Sequence, residues 1–169
     1  MANRETIPLR NSDLEEHHCT VDLRKQKLRM SPFFRELSAV ELTVIEKKFS
    51  AVHFVAGDNI YFQNERSTMM RVVMQGSIKI VRHTLESKKE PLDMLKLGEH
   101  FGYLFTSCND SYTEVAQAQT GACIKPIRMR ELHSLLVKYS EVAQSVLNIR
   151  ADCLQSSQEQ ILHLSNTAG

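Results

Sequence analysis

Between residues 51 and 128 the chain alternates apolar and polar positions in short runs, VHFVAGDNIYFQ, MMRVVMQGSIKIVRH, PLDMLKLGEHFGYLF and YTEVAQAQTGACIKPIRM. Each has a two-residue period or a short continuous apolar core. A two-residue period sends successive side chains to opposite faces, so the runs predict strands. Gly57, Gly76, Gly98 and Gly102 punctuate them. Glycine accepts a positive φ without steric cost, so this regular series marks tight corners in an antiparallel sheet. The pattern predicts a small β-roll.

On either side of the roll the period lengthens to that of a helix. Val21 to Met30 reads as a short helix that ends before Ser31-Pro32, because proline drives the residue before it out of the helical region. Ser38 with Glu41 three positions on forms a capping box that opens a helix to about Phe49. Its apolar positions Val40, Leu42, Val44, Ile45 and Phe49 are expected to pack against the roll. The charged stretch LESKKEP, residues 85–91, reads as an exposed hairpin tip. A short helix near Arg130 to Tyr139 leads into a long amphipathic helix from about Ser140 to Ser165. On that helix Val142, Val146, Ile149, Cys153, Ser157, Gln160 and Leu164 recur at three- and four-residue steps, and Leu147, Leu154 and Ile161 form a second line at steps of seven. Two apolar lines need two partners: the chain's own roll and a symmetry mate, or two contacts within one domain.

The fold class expected is therefore mainly β with flanking helices: an antiparallel β-roll of jelly-roll type plus a long C-terminal helix. Residues 1–20, polar and weakly periodic, form a mobile arm. Residues 21–139 form the roll with its helices, and residues 140–169 the long helix. At 169 residues, with 42% hydrophobic and 24% charged positions, the composition is that of an ordinary globular protein. Nothing in it resembles a membrane span or a signal peptide, which places the chain in the cytoplasm. Cys19, Cys108, Cys123 and Cys153 are widely spaced without a C-x-x-C pair, which argues for reduced thiols rather than a disulfide framework or zinc ribbon. Cys123 and Cys153 are expected to be buried. Basic and acidic residues nearly balance, 21 against 20, and the densest basic stretch, Arg24 to Arg29, reads as a solvated helix face rather than a DNA contact.

The order V-A-G-D-x-I-Y-x-Q, then Q-G-S-I-K-I, then L-G-E-H-F-G-Y, then the long helix, resembles the effector domain of bacterial transcription regulators of the catabolite-activator and fumarate-nitrate-reduction family. The resemblance runs from about Leu28 to Leu164. It implies a cyclic-nucleotide-binding-like roll, a small-molecule effector, and a parallel homodimer through the long helix, with Val142, Val146, Ile149, Cys153 and Leu164 at the seam. It also implies that DNA is read by a helix-turn-helix domain following that helix. The sequence ends where that domain would begin, so this chain is expected not to read DNA alone, whether it is part of a longer protein or naturally lacks the domain.

Cyclic-nucleotide binders of the family hold the cyclic phosphate with an arginine and the ribose with a glutamate, in a cassette of the form G-E-(L/I)-(A/G) followed by R-(S/T)-A. Here the cassette begins Phe101-Gly102-Tyr103-Leu104, which sets Tyr103 in the glutamate position. Tyr112 takes the arginine position, and Glu114 stands near the small alanine. A carboxylate close to a phosphate repels it, so the effector is expected not to be cAMP or cGMP. Gly102, Tyr103, Tyr112, Thr113 and, on the long helix, Ser157 are the expected effector pocket.

The iron-sulfur members carry several cysteines before the first helix, and a cluster needs four thiolates. Only Cys19 lies there, which argues against a cluster. Haem-dependent members use histidine or methionine ligands; His100, bordering the pocket, and Met69 are the candidates, against the bland reading of core methionines and solvated histidines. The His17-His18-Cys19 run lacks a further ligand, and no metal is expected. The strands carry no H-x-H pair of cupin type. No G-x-S-x-G, P-loop or paired-carboxylate pattern occurs, so catalysis is not expected.

Overall fold

Alternation along one central strand decides which residues see which side of the molecule. The computed structural model describes residues 21–83, 89–102 and 111–167. In order it holds α1 (Val21–Arg29), α2 (Ala39–Lys48), β1 (Val52–Phe54), β2 (Asn59–Tyr61), β3 (Met69–Gln75), β4 (Ile78–His83), β5 (Lys89–Leu95), β6 (His100–Gly102), β7 (Val115–Ala118), β8 (Ala122–Arg128), α3 (Met129–Lys138) and α4 (Ser140–Thr167). The strands form two four-stranded sheets, β1-β8-β3-β6 and β2-β7-β4-β5, with every pairing antiparallel. All four punctuating glycines take positive φ. The predicted β-roll with its long following helix is the fold observed.

On β3, Met70, Val72 and Met74 face a layer of helices and pack with Leu28, Phe33, Phe34, Ile45 and Leu132. Val73, on the other face, packs inside the roll with Ile60, Tyr61, Ile78, Phe101 and Ile124. The first sheet is thus a wall between two cores. A polar link, buried at its Lys125 end, ties the helices to it: Lys125 Nζ on β8 donates to the Glu46 carbonyl at 2.9 Å, and Arg24 Nε on α1 donates to Glu46 Oε1 at 2.6 Å. Burial holds the Lys125 ammonium below its usual range, with the Glu46 charge opposing that shift.

Ser38 caps α2 as expected, its Oγ accepting from the Glu41 N–H at 3.3 Å while Glu41 Oε2 accepts from the Ser38 N–H at 2.8 Å. Only part of the expected apolar face is buried: Leu42, Ile45 and Phe49 are, but Val40 and Val44 are exposed. The five positions span more than one helical stripe, and α2 has one wall to lean on. Lys89 to Pro91, expected in a hairpin tip, belong to β5, and the preceding residues 84–88 lie outside the described residues. Cys123 is half-buried rather than buried.

On α4 the two apolar lines separate. Val142 is fully buried in the helix-side core, and Val146 and Ile149 lean on it half-buried. This corrects Val142 as a seam residue, because its own chain covers it. Leu147 and Leu154 are exposed. The side chains of Cys153 and Leu164 lie outside the described residues.

Candidate functional site

A half-buried cation, Arg71, lies against the aromatic side of the roll core. Arg71 lies opposite Phe101 in the β3–β6 register and shares its face with Met69. Its Nη1 donates to the Tyr112 hydroxyl at 2.7 Å and to the Met69 carbonyl at 3.4 Å. Its guanidinium lies 5.0 Å from the Tyr61 ring centroid and 5.5 Å from that of Tyr112. Those two rings stack on each other at 3.8 Å, 17° from parallel. An arginine held over aromatic faces keeps its donors pre-oriented.

Tyr112 reaches this position because the chain around it pairs with the loop after β2: Asn64 N–H donates to its carbonyl at 2.8 Å, and its own N–H donates to the Glu65 carbonyl at 2.9 Å. Gly102 fits here as no other residue would. At φ 99° a Cβ would stand 2.5 Å from the Met69 carbonyl oxygen and 3.4 Å from Arg71 Nη1. Glu114 is engaged from two sides, accepting from the Tyr61 hydroxyl at 3.0 Å and from the Thr113 hydroxyl. Burial and the Glu114 charge push the Tyr61 phenol well above its usual range, so it remains a donor.

Beside Arg71 opens a cavity of about 840 Å³. Phe54, Ile60, Phe62, Met69, Ile124 and Pro126 give it an apolar lining, with Arg71, Arg128 and Lys48 as cations. Asp58 and Glu131 also reach it, but their carboxylates accept backbone N–H groups, of Val55 at 3.0 Å and Arg128 at 3.2 Å.

Of the residues expected at the site, Gly102 and Tyr112 meet through Arg71 and the Met69 carbonyl. Thr113 is exposed, its hydroxyl committed to Glu114. Tyr103 lies outside the described residues, as does the side chain of Ser157 on α4. His100 does not border the roll interior. In register with Val72, it faces the helical layer, where its ring meets Phe33 edge-on at 4.3 Å. Burial pushes its pKa down to about 4. His100 and Met69 therefore lie on opposite faces of one sheet, and they are not a pair of ligands for one haem. Among the described residues no group of three or more histidine, cysteine, aspartate or glutamate side chains is placed to hold a metal ion. Arg71 and Tyr61 are the residues that sequence reasoning missed. The one signal was a lone arginine inside the apolar run from Met69 to Met74.

The family model of the cyclic nucleotide-binding domain matches residues 51–139. Among solved structures, the chain resembles the N-terminal domain of a transcriptional regulator from Streptomyces coelicolor A3(2), at 22% identity and TM-score 0.65, over 79% of this chain and 95% of that one. It resembles the catabolite activator protein of Thermus thermophilus at 21% identity and TM-score 0.73, over 80% of this chain and 63% of that one. The sensor domain of the transcriptional regulator DNR from Pseudomonas aeruginosa matches at 20% identity and TM-score 0.71, over 82% and 93% of the two chains. No curated protein matches. Among the described residues no helix is long and apolar enough to cross a membrane.

Proposed function

We propose a function from one premise: this chain belongs to the cyclic nucleotide-binding domain family. It is the cytoplasmic sensor domain of a transcription regulator of the catabolite-activator and fumarate-nitrate-reduction type. A small effector enters the roll beside Arg71, and its presence is passed through β8, α3 and α4 to a DNA-binding domain. Two copies associate through α4, along the line of Leu147 and Leu154 that its own chain leaves exposed. The resemblance in fold to regulator sensor domains supports this reading.

The effector is not a cyclic nucleotide. The observation that carries this is the pair at the cassette: Tyr112 fills the arginine position with a ring stacked on Tyr61, and Glu114 holds a carboxylate beside it. A cyclic phosphate seated on the cassette would meet the Glu114 carboxylate and no arginine of the cassette itself, since the guanidinium at Tyr112 comes from Arg71 on β3 and lines the neighbouring cavity; like charges at short range cost more in a low-dielectric interior. Calorimetric titration with cAMP and cGMP tests the point. We expect no saturable heat with either ligand up to about 1 mM, the weak end of specific binding. A one-site isotherm in the micromolar range for either would overturn it.

A further inference from the structure

The arginine expected in the cassette is absent, yet a guanidinium still stands 2.7 Å from the hydroxyl of the tyrosine that replaces it. It belongs to Arg71 and comes from β3, 41 residues earlier in the chain. Arg71 is half-buried, and partial desolvation of a charged head is unfavourable unless it is paired. Among the described residues no carboxylate pairs with it: its hydrogen bonds go to a neutral hydroxyl and a neutral carbonyl, both from Nη1. A guanidinium carries five N–H donors in a planar fork, and the stacked rings of Tyr61 and Tyr112 hold that plane in position. The same side chain lines the cavity of about 840 Å³, within the size range of small-molecule sites, where the apolar side chains of Phe54, Ile60 and Ile124 share the walls with polar ones such as His53 and Asn59.

We infer that Arg71 is the anion anchor of the roll, and that the effector is an organic anion whose carboxylate or phosphate head meets Arg71 while an apolar body fills the cavity along Phe54, Ile60 and Ile124. This rests on the reading of the roll interior as the effector site. The anchor has moved from the cassette to β3, and the cassette tyrosine positions it. Arg128, in the same cavity, offers a second charge to a dianionic head. The site selects against a neutral ligand of the same shape, which would leave the guanidinium desolvated and without a counter-charge.

The test uses two fluorescent probes that share one arylamine body, 8-anilinonaphthalene-1-sulfonate with a charge and N-phenyl-1-naphthylamine without it. We expect wild-type protein to bind the sulfonate at one site per chain. Arg71→Met should weaken the sulfonate about tenfold or more, the scale of a lost charge-assisted hydrogen bond, and leave the neutral probe unchanged. Arg71→Lys keeps the charge without the fork and should fall between. If Arg71→Met fails to fold, as judged by circular dichroism, the Arg71→Lys comparison between the two probes carries the test. Equal sulfonate affinity in variant and wild type would overturn the inference, as would parallel loss of both probes, which makes Arg71 only a wall of the roll. If wild-type protein binds neither probe, the effector-site reading itself fails and the inference falls with it. Displacement of the sulfonate by 2-naphthoate or 2-naphthyl phosphate supports the anchor and identifies the head group. Equal displacement by neutral 2-naphthol counts against it.

Discussion

A histidine pressed edge-on against a phenylalanine ring, as His100 is against Phe33, has its protonation decided by desolvation. Burial lowers its pKa from 6.5 to about 4. Between those values the unfolded chain takes up a proton that the folded chain refuses, so stability falls as pH drops through that window and is unaffected by this group above it. The full difference is roughly 3 kcal/mol at one pKa unit per 1.36 kcal/mol. We expect denaturation of wild type and His100→Leu to show stability curves that diverge between pH 6.5 and 4, with the wild type losing more. Parallel curves would mean that the imidazole is solvated. The side of the sheet taken by His100 was not legible beforehand, since in His100-Phe101-Gly102 the alternation fixes only that neighbours face opposite ways. Tyr112 could be named because the cassette spacing is short and fixed. Arg71 was not, because nothing in a strand's own pattern tells which loop will pair against it 41 residues later.

Among the elements, α4 is where an apolar pattern read from sequence proved divisible. Both lines were visible as steps of three, four and seven. Which of them met the chain's own core depended on how β8 hands over to α3, whose first residue, Met129, follows the last residue of the strand. That junction turns Val142 inward and leaves Leu147 and Leu154 outside. Single exposed leucines are ordinary on a soluble surface, but two in line at a step of seven have the spacing of a helix–helix seam, and the proposed dimer closes over them. We expect Leu147→Glu with Leu154→Glu to leave monomer stability within about 0.5 kcal/mol, as surface changes do. Association should weaken about a hundredfold, the equivalent of roughly 3 kcal/mol of lost apolar burial. Sedimentation equilibrium reads both species. Unchanged mass at all concentrations would rule out this face as the seam. Val142→Ala is the contrasting control, costing fold stability through the cavity it leaves.

For the molecule as a whole, the question is how an occupant of the roll could be felt at the end of α4. The cavity and the helical layer share the first sheet, and Arg128 belongs to both: it lines the cavity and stands at the N-cap position of α3, where its N–H donates to Glu131 Oε2 at 3.2 Å. Around it Met129 N–H donates to the Thr68 carbonyl at 3.1 Å, so the start of α3 is tied to the segment leading into β3. Further on, the Tyr139 N–H donates to the Leu135 carbonyl at 2.8 Å and the Ala143 N–H to the Tyr139 carbonyl at 3.2 Å, which joins α3 to α4 with a single residue between them. An anion drawing Arg71 and Arg128 together would pull on that junction, while Val142 keeps the first turn of α4 in the core. A ligand shifts such an equilibrium only by its differential affinity for the two arrangements. Amide hydrogen exchange with and without saturating 8-anilinonaphthalene-1-sulfonate measures the coupling. We expect protection to change in peptides spanning 128–146 as well as in β3 and β8, and the change in 128–146 to vanish in Arg128→Met while the β3 change persists. Exchange altered only in β3 and β8 would confine the ligand's effect to the roll and leave α4 without a part in signalling.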